Sequence, residues 1–82
     1  MVIGDTGDVS DLSKAIGAAV TRLRWRALLS KETVAHGAAI TEERLEAIER
    51  GEIENLRLHE ALRLSASLHT TLQELVDEAA LP

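Results

Sequence analysis

The sequence predicts an all-α protein, a compact domain of five short helices. Apolar residues recur at steps of three and four along most of the chain, as one buried face of a helix requires. Alternating β-branched runs and hairpin dipeptides are missing, and phenylalanine and tyrosine are absent. A length of 82 residues, 45% of them hydrophobic and 28% charged, suits one small domain.

Composition also excludes several classes of protein. Without cysteine there is no disulfide, thiolate metal site or thiol nucleophile. No apolar run approaches the ~20 residues of a membrane-spanning helix, and no secretion signal opens the chain, so we expect no membrane partner and a cytoplasmic protein. A net charge of −5 argues against non-specific binding to polyanions. Residues 14–31 nevertheless carry five cations and no acid, so one basic segment could meet phosphate.

The first two elements are an arm and a helix. Residues 1–12 mix Gly, Asp and Thr without periodicity and predict a flexible N-terminal arm, after which the domain covers residues 13–82. Helix 1 is expected from about Ser13, a suitable N-cap, to Ala27. One buried stripe along it consists of Ile16, Val20, Leu23 and Ala27.

Two shorter helices follow and form a unit at about residues 30–50. Ser30 can cap helix 2, because its hydroxyl can accept hydrogen bonds from the free N–H groups of the first turn. Helix 3 begins after Thr41 and is expected to stop at Gly51, since glycine commonly ends helices. The inward-facing residues are expected to be Val34, Ala35, Ala38, Leu45 and Ile48.

Helices 4 and 5 complete the domain. Helix 4 is predicted over about residues 56–67, and its buried side is expected to comprise Leu58, Ala61, Leu62 and either Ser65 or Leu68. Helix 5 opens with Thr71 and Glu74, which have the spacing of a capping box. Its apolar side is larger than one small core needs, and a homodimer about a two-fold axis would hide it. The helix 5 residues expected at such an interface are Leu75, Val76, Ala79 and Leu81.

Trp25 is the only aromatic residue and a further candidate for a dimer or partner interface. It falls off the buried stripe of helix 1, so we expect it to point at least partly outward. Tryptophan is enriched at binding hot spots, and this one lies among arginines. Packing against the arm or against helix 5 is the alternative.

A family resemblance emerges from residues 24–35, where an arginine late in helix 1 is followed by a serine cap, an acidic turn and an apolar–alanine pair. This stretch is similar to the opening of phage-repressor-like (lambda repressor/Cro-like, XRE-type) helix-turn-helix domains. Residues 39–51 resemble the rest of the unit, and residues 68–75 resemble the start of the family's fifth helix. The positions that carry the resemblance are Arg24, Ser30, Ala35, Ile40, Leu45, Glu49 and Gly51. It implies the lambda-repressor-like fold for about residues 16–76.

Two positions depart from the family's pattern. Ala39 stands where the family usually has glycine in the turn between helices 2 and 3, while Gly37 lies two residues earlier. The loop after Gly51 lacks the usual proline and is one residue longer than common. We therefore expect helix 2 to end slightly differently, with the fold unchanged.

In the family, helix 3 lies in the DNA major groove with its first residues facing the base edges. The matching base-reading candidates are Glu42, Glu43, Arg44, Glu46 and Ala47. Carboxylates can accept a hydrogen bond from cytosine N4 but make few other base contacts. Acids in a first turn also stabilise a helix by about 0.3–1 kcal/mol without any ligand, so both interpretations of Glu42 and Glu43 stay open. Arg44 can equally contact a base or lie on the surface.

The candidate phosphate contacts are the polar and basic residues Arg22, Arg26, Ser30, Lys31, Arg50 and Arg57. Ser30 and Lys31 stand at the start of helix 2, where free N–H groups and the helix dipole favour an anion. Arg57 matches a second backbone-contacting region of the family. A solvated surface residue is the alternative for each. Arg24 and Glu49 are different, because the resemblance implies an internal salt bridge between helix 1 and the end of helix 3.

The resulting prediction is a transcriptional regulator, most simply a repressor, that binds specific double-stranded DNA as a homodimer. The alternative is a protein-interaction module of the same fold, such as an antirepressor, an antitoxin-like partner or an adaptor, using the acidic helix 3 and Trp25. No enzyme or cofactor is expected. His36, His59 and His69 have no second ligand at metal spacing, and Ser30 has no neighbouring His–Asp arrangement.

Overall fold

Five α-helices account for most of the computed structural model, which describes residues 9–53 and 56–81. The helices are α1 (Val9–Arg26), α2 (Lys31–Gly37), α3 (Glu42–Glu49), α4 (Leu58–Ser67) and α5 (Leu72–Ala79). No strand occurs in this part of the chain. The longest helix, α1, packs against α3 and α5, while α2 packs against α3 and α4. The predicted all-α, five-helix class is confirmed.

Hydroxyl side chains start three of the helices. Ser30 and Thr41 each accept a hydrogen bond of 3.0 Å from the backbone N–H three residues further on, at the starts of α2 and α3. At the start of α5, Thr71 accepts from the Glu74 N–H and Glu74 accepts from the Thr71 N–H, both at 3.1 Å. These contacts confirm the predicted caps, including the capping box.

The first four helices end in the same way. The residue after each helix exit lies in the left-handed region, with φ of 58°, 60°, 75° and 59° at Leu28, Ala39, Gly51 and His69 respectively. The next N–H then donates to the carbonyl five residues back, as Ile40 does to Ala35 at 3.0 Å. This is the Schellman arrangement. Ala39 therefore adopts the conformation that glycine supplies in the family, which explains why the departure leaves the turn intact.

The start of α1 differs from the prediction. The helix begins at Val9, so residues 9–12 of the predicted arm belong to it, and residues 1–8 of that arm lie outside the described residues. Ser13 is therefore not an N-cap. It is buried within α1, where its hydroxyl accepts a hydrogen bond of 3.4 Å from the Leu56 N–H. That contact ties α1 to the segment before α4.

The core lies between the helices, and its largest fully buried side chains are Val20, Val34, Leu45, Ile48, Leu64 and Leu75.

Two expectations for α4 are wrong, because Leu58 and Leu62 are 66% and 47% exposed. The helix begins at Leu58 rather than near residue 56, and its buried stripe runs through Ala61, Leu64 and Leu68. Leu58 and Leu62 flank that stripe. Ala27, expected on the buried stripe of helix 1, lies beyond the end of α1 and is exposed.

Gly17 sets the distance between α1 and α3. It is buried, and a Cβ atom at this position would clash with the backbone carbonyl oxygen of Ile48. The contact is with backbone, which cannot move aside as a side chain can. The close approach of α1 and α3 thus depends on the absence of a side chain at Gly17. This close contact fixes the position of α3.

Candidate nucleic-acid interface

The exposed face of α3 carries the residues predicted to read bases. Leu45 and Ile48 fix the opposite face in the core, so Glu42 and Glu43 are exposed at the start of the helix. Glu46 and Ala47 are half-buried one turn later. Thr41 caps this turn, and the two acids near it complement the positive end of the helix dipole. The surface offered by α3 is therefore short and acidic.

Arg44 does not extend freely from this face. Its Nε donates to Glu60 Oε2 at 3.0 Å and its Nη2 donates to Glu60 Oε1 at 2.7 Å, which joins the start of α3 to α4. Glu60 is 7% exposed and also accepts a hydrogen bond of 3.3 Å from the Arg57 N–H. The Arg44 hydrogen bond lowers the pKa of Glu60 and raises that of Arg44, so both groups are charged at neutral pH.

Glu46 lies between two of the candidate phosphate contacts. Its carboxylate is 3.6 Å from Lys31 Nζ and 3.9 Å from Arg50 Nη1. Arg50 also pairs with Glu52, with Nε to Oε2 at 3.0 Å. The Lys31 and Arg50 side chains remain 42% and 58% exposed. Solvent-exposed pairs are weak, so both cations can exchange their carboxylate partners for a phosphate.

Arg22 and Arg26 contact α5 instead of α3. Arg22 Nε donates to Glu78 Oε2 at 2.8 Å and its Nη2 donates to the Glu78 carbonyl at 2.8 Å. Arg26 Nη2 reaches the same Oε2 at 3.0 Å. Glu78 is 8% exposed, and these hydrogen bonds lower its pKa. The two arginines therefore connect α1 to α5. Neither of them pairs with Glu46, the acid that contacts Lys31 and Arg50.

Arg24 and Glu49 meet inside the protein. Arg24 Nε donates to Glu49 Oε2 at 2.8 Å and Nη2 donates to Oε1 at 3.1 Å, while Nη1 donates to the Leu29 carbonyl at 3.2 Å. The two side chains are 8% and 7% exposed. This pair connects α1 to the end of α3 and is almost fully withdrawn from solvent.

Trp25 stands on the surface, 66% exposed, with the Arg24 guanidinium 5.5 Å from its ring centroid. It lines an open cleft of about 360 Å³ together with Lys31, Glu46 and Arg50. Trp25 thus belongs to the side of α1 that faces α3, and the expected alternative of packing on helix 5 does not describe it.

Ser30 and Arg57 are the N-cap residues of α2 and α4, respectively. The exposed Ser30 hydroxyl caps α2 and also donates to Thr33 Oγ1 at 2.9 Å. Arg57 is the exposed N-cap residue of α4. Within the described ranges, no carboxylate forms an ion pair with the Arg57 side chain, so its charge is available to an anion.

The predicted interface on helix 5 needs one correction. Leu75 is fully buried in the core and cannot contact a partner, because the same helical stripe that was assigned to an interface seals the domain. Val76 and Leu81 are 39% and 57% exposed, and Ala79 is half-buried against the core.

Val76 lines an apolar groove of about 240 Å³ whose other apolar residues include Leu12, Ile16, Leu56, Leu58 and Leu72. This groove and the Trp25 cleft have no lining residue in common.

Glu60 and Glu78 are the residues that sequence reasoning missed. Each is an acid at an inward position of its helix: Glu60 precedes the buried Ala61, and Glu78 follows the buried Leu75 by three residues. A buried acid on an apolar stripe implies a cationic partner, and this was the signal in the sequence that could have identified both residues.

The described histidines are exposed, and no cluster of three metal-binding side chains occurs in the described part of the chain. No described helix has the length and apolarity needed to cross a membrane.

Comparison with solved structures identifies the architecture. The crystal structure of the clp gene regulator ClgR from C. glutamicum superimposes with a TM-score of 0.79, over 84% of this chain and 88% of that chain. The two sequences are 22% identical. No protein-family model matches the chain, and no curated protein sequence matches it significantly. The likeness shows that this chain shares the fold of that gene regulator.

Proposed function

We propose that the chain is a transcription regulator that binds specific DNA sequences by placing α3 in the major groove. The observation that carries the proposal is the fold, which matches that of a known gene regulator and in which α2 and α3 form a helix-turn-helix unit. The start of α3 is exposed, and its opposite face is locked in the core by Leu45 and Ile48. Such a helix can enter a groove without rearrangement. The simplest role is that of a repressor of the phage-repressor type, which blocks polymerase.

The proposed phosphate contacts are Ser30, Lys31, Arg50 and Arg57. Lys31 and Arg57 stand beside helix starts, where N–H groups and the helix dipole favour an anion. Lys31 pairs with Glu46 at 3.6 Å, and Arg50 pairs with Glu46 at 3.9 Å and with Glu52 at 3.0 Å; all of these pairs are solvent-exposed. Phosphate can therefore replace those partners at small cost. Arg22 and Arg26 contribute less, because Glu78 already holds both.

The proposed base contacts include the exposed acids Glu42 and Glu43 and the half-buried Ala47. A carboxylate can accept a hydrogen bond from cytosine N4, and alanine can contact the thymine methyl group.

We further propose a homodimer through the surface around Val76 and Leu81. Two copies related by a two-fold axis would read two half-sites about one helical turn apart.

Selection from a library of random duplexes tests the proposal. At low salt, the full chain should enrich a two-fold-symmetric motif, and its affinity should fall as salt rises. Lys31→Gln should weaken binding uniformly across sequences and reduce the slope of log K against log salt by about one. Failure to enrich any motif, with the helices intact by circular dichroism, would exclude sequence-specific binding by the chain alone.

A protein-interaction module of the same fold is the second candidate. It is favoured by the charges, because Arg22, Arg24, Arg26, Lys31, Arg44 and Arg50 all form internal ion pairs. The start of α3 is acidic, and the exposed Trp25 lines a cleft with Glu46 and Glu49 from the second half of the same helix. Such a surface suits a basic partner protein better than a polyanion.

The double variant Glu42→Gln/Glu43→Gln separates the two candidates. A DNA reader should keep or gain general DNA affinity and change its sequence preference, since two repulsive charges are removed. An acid-dependent protein interface should weaken. Asp77→Asn, which removes an exposed carboxylate from α5, is the control and should alter neither property.

A further inference from the structure

We propose that Arg44 reads a guanine in the DNA site and that Glu60 is the positioning residue that holds it for this contact. The inference rests on the proposed function. It starts from the ion pair between α3 and α4, in which Nε and Nη2 of Arg44 donate to the two carboxylate oxygens of Glu60 at 3.0 and 2.7 Å.

The geometry of this pair leaves one end of the guanidinium open. An arginine carries five N–H donors in a planar fork. The edge formed by Nε and Nη2 faces Glu60, which leaves Nη1 and the second hydrogen of Nη2 at the far end. No described residue accepts a hydrogen bond from Nη1, and the Arg44 side chain is 36% exposed. The open end presents two parallel donors, which is the pattern that matches guanine O6 and N7.

A second arginine in the same protein shows what a purely structural pair looks like. Arg24 also presents Nε and Nη2 to a carboxylate, but its Nη1 donates to the Leu29 carbonyl and its side chain is 8% exposed. Every nitrogen of Arg24 is thus used inside the protein. Arg44 differs in both respects, because one nitrogen is open and the side chain reaches solvent at the start of the helix proposed to enter the groove.

Glu60 is suited to hold Arg44 still. It is 7% exposed and also bonded to the Arg57 N–H at the start of α4, so the carboxylate itself is fixed. The Arg44 hydrogen bond lowers its pKa, so it remains ionised at neutral pH. A fixed, two-point partner removes the rotamers by which a long arginine would otherwise reach a nearby phosphate. The contact to one base is therefore pre-organised, which is what selectivity requires.

The test compares affinities for two duplexes, the selected motif and the same motif with 7-deazaguanine at one guanine, which lacks the N7 acceptor. The wild-type chain should prefer guanine by roughly tenfold or more at one position of each half-site. Arg44→Gln and Glu60→Gln should each reduce that preference to within about twofold of unity. Glu52→Gln, which breaks the exposed pair with Arg50, is the matched control and should keep the preference.

The ratio of the two affinities is informative even if Glu60→Gln weakens the fold, because the folded fraction cancels. Equal weakening on both duplexes, with the guanine preference kept, would overturn the positioning role of Glu60. A selected motif in which no guanine responds to Arg44→Gln would overturn the inference while DNA binding stands. Absence of any selected motif would instead reject the proposed function on which it rests.

Discussion

Neutralising Glu49 should destabilise the protein far more than its single charge suggests. Glu49→Gln keeps the size of the side chain but leaves the Arg24 guanidinium, 8% exposed, without its counter-charge. Breaking a buried pair on one side costs about 3–5 kcal/mol, because a charge then stays out of water uncompensated. A chain of this length has a total free energy of unfolding of only about 4–12 kcal/mol. The variant should therefore lose a large part of its stability.

Replacing both partners should cost much less. In Arg24→Met/Glu49→Leu, no buried charge remains and the volume is nearly kept, so we expect stability within about 1 kcal/mol of wild type or above it. Arg24→Met alone should be destabilised like Glu49→Gln, since it leaves the carboxylate unpaired. The two single effects and the double effect together give the coupling energy of the pair.

Urea unfolding followed by circular dichroism measures all of these free energies. If Glu49→Gln is unfolded in buffer, an osmolyte such as TMAO restores a measurable baseline. Glu52→Gln, which breaks a pair whose side chains are 58% and 57% exposed, is the control and should leave the unfolding midpoint unchanged. A loss below about 1 kcal/mol for Glu49→Gln, or a double variant as unstable as the sum of the singles, would show that the buried pair is not strongly coupled.

Three further predictions concern packing, backbone conformation and pH. Gly17→Ala should destabilise by about 1–3 kcal/mol or more in urea unfolding, since its Cβ meets backbone of α3; an unchanged midpoint would show that the helices can separate freely. Ala39→Gly should stabilise by up to about 1 kcal/mol, because the exposed alanine has φ 60°, whereas the control Ala18→Gly, exposed within α1, should destabilise by about 1 kcal/mol. Glu60 and Glu78 have lowered pKa values, so their stabilisation is complete above the ordinary glutamate pKa of 4.5 and is lost as pH falls through the folded-state values. Thermal unfolding across this range should show the loss, and Glu60→Gln and Glu78→Gln should each make the profile flatter.

Local features of the fold were predictable from the sequence. Ser30, Thr41 and Thr71 cap helices through contacts three residues away, and Gly51 ends α3 with a positive φ. These interactions depend on neighbours in the chain, so short motifs suffice to find them. The start of α1 at Val9 was missed, because Ser13 is an equally good cap until its buried contact with the segment before α4 is known.

The candidate interface was less predictable, because its charges depend on tertiary structure. Arg44 and Glu60 lie 16 residues apart in the chain, and Arg22 and Glu78 lie 56 apart. The sequence identifies Arg22 and Arg44 as possible phosphate or base contacts, but only packing determines which carboxylate each one meets. The same holds for Leu75, whose apolar side serves the core and not an interface.

An NMR titration of the isotopically labelled chain with its selected duplex shows which surface of the protein contacts DNA. We expect amide shifts to concentrate at the start of α2, along α3 and near Arg57, while the amides around the groove beside Val76 report only dimer contacts. Shifts absent from α3, or confined to α4 and α5, would contradict the placement of this helix in the major groove.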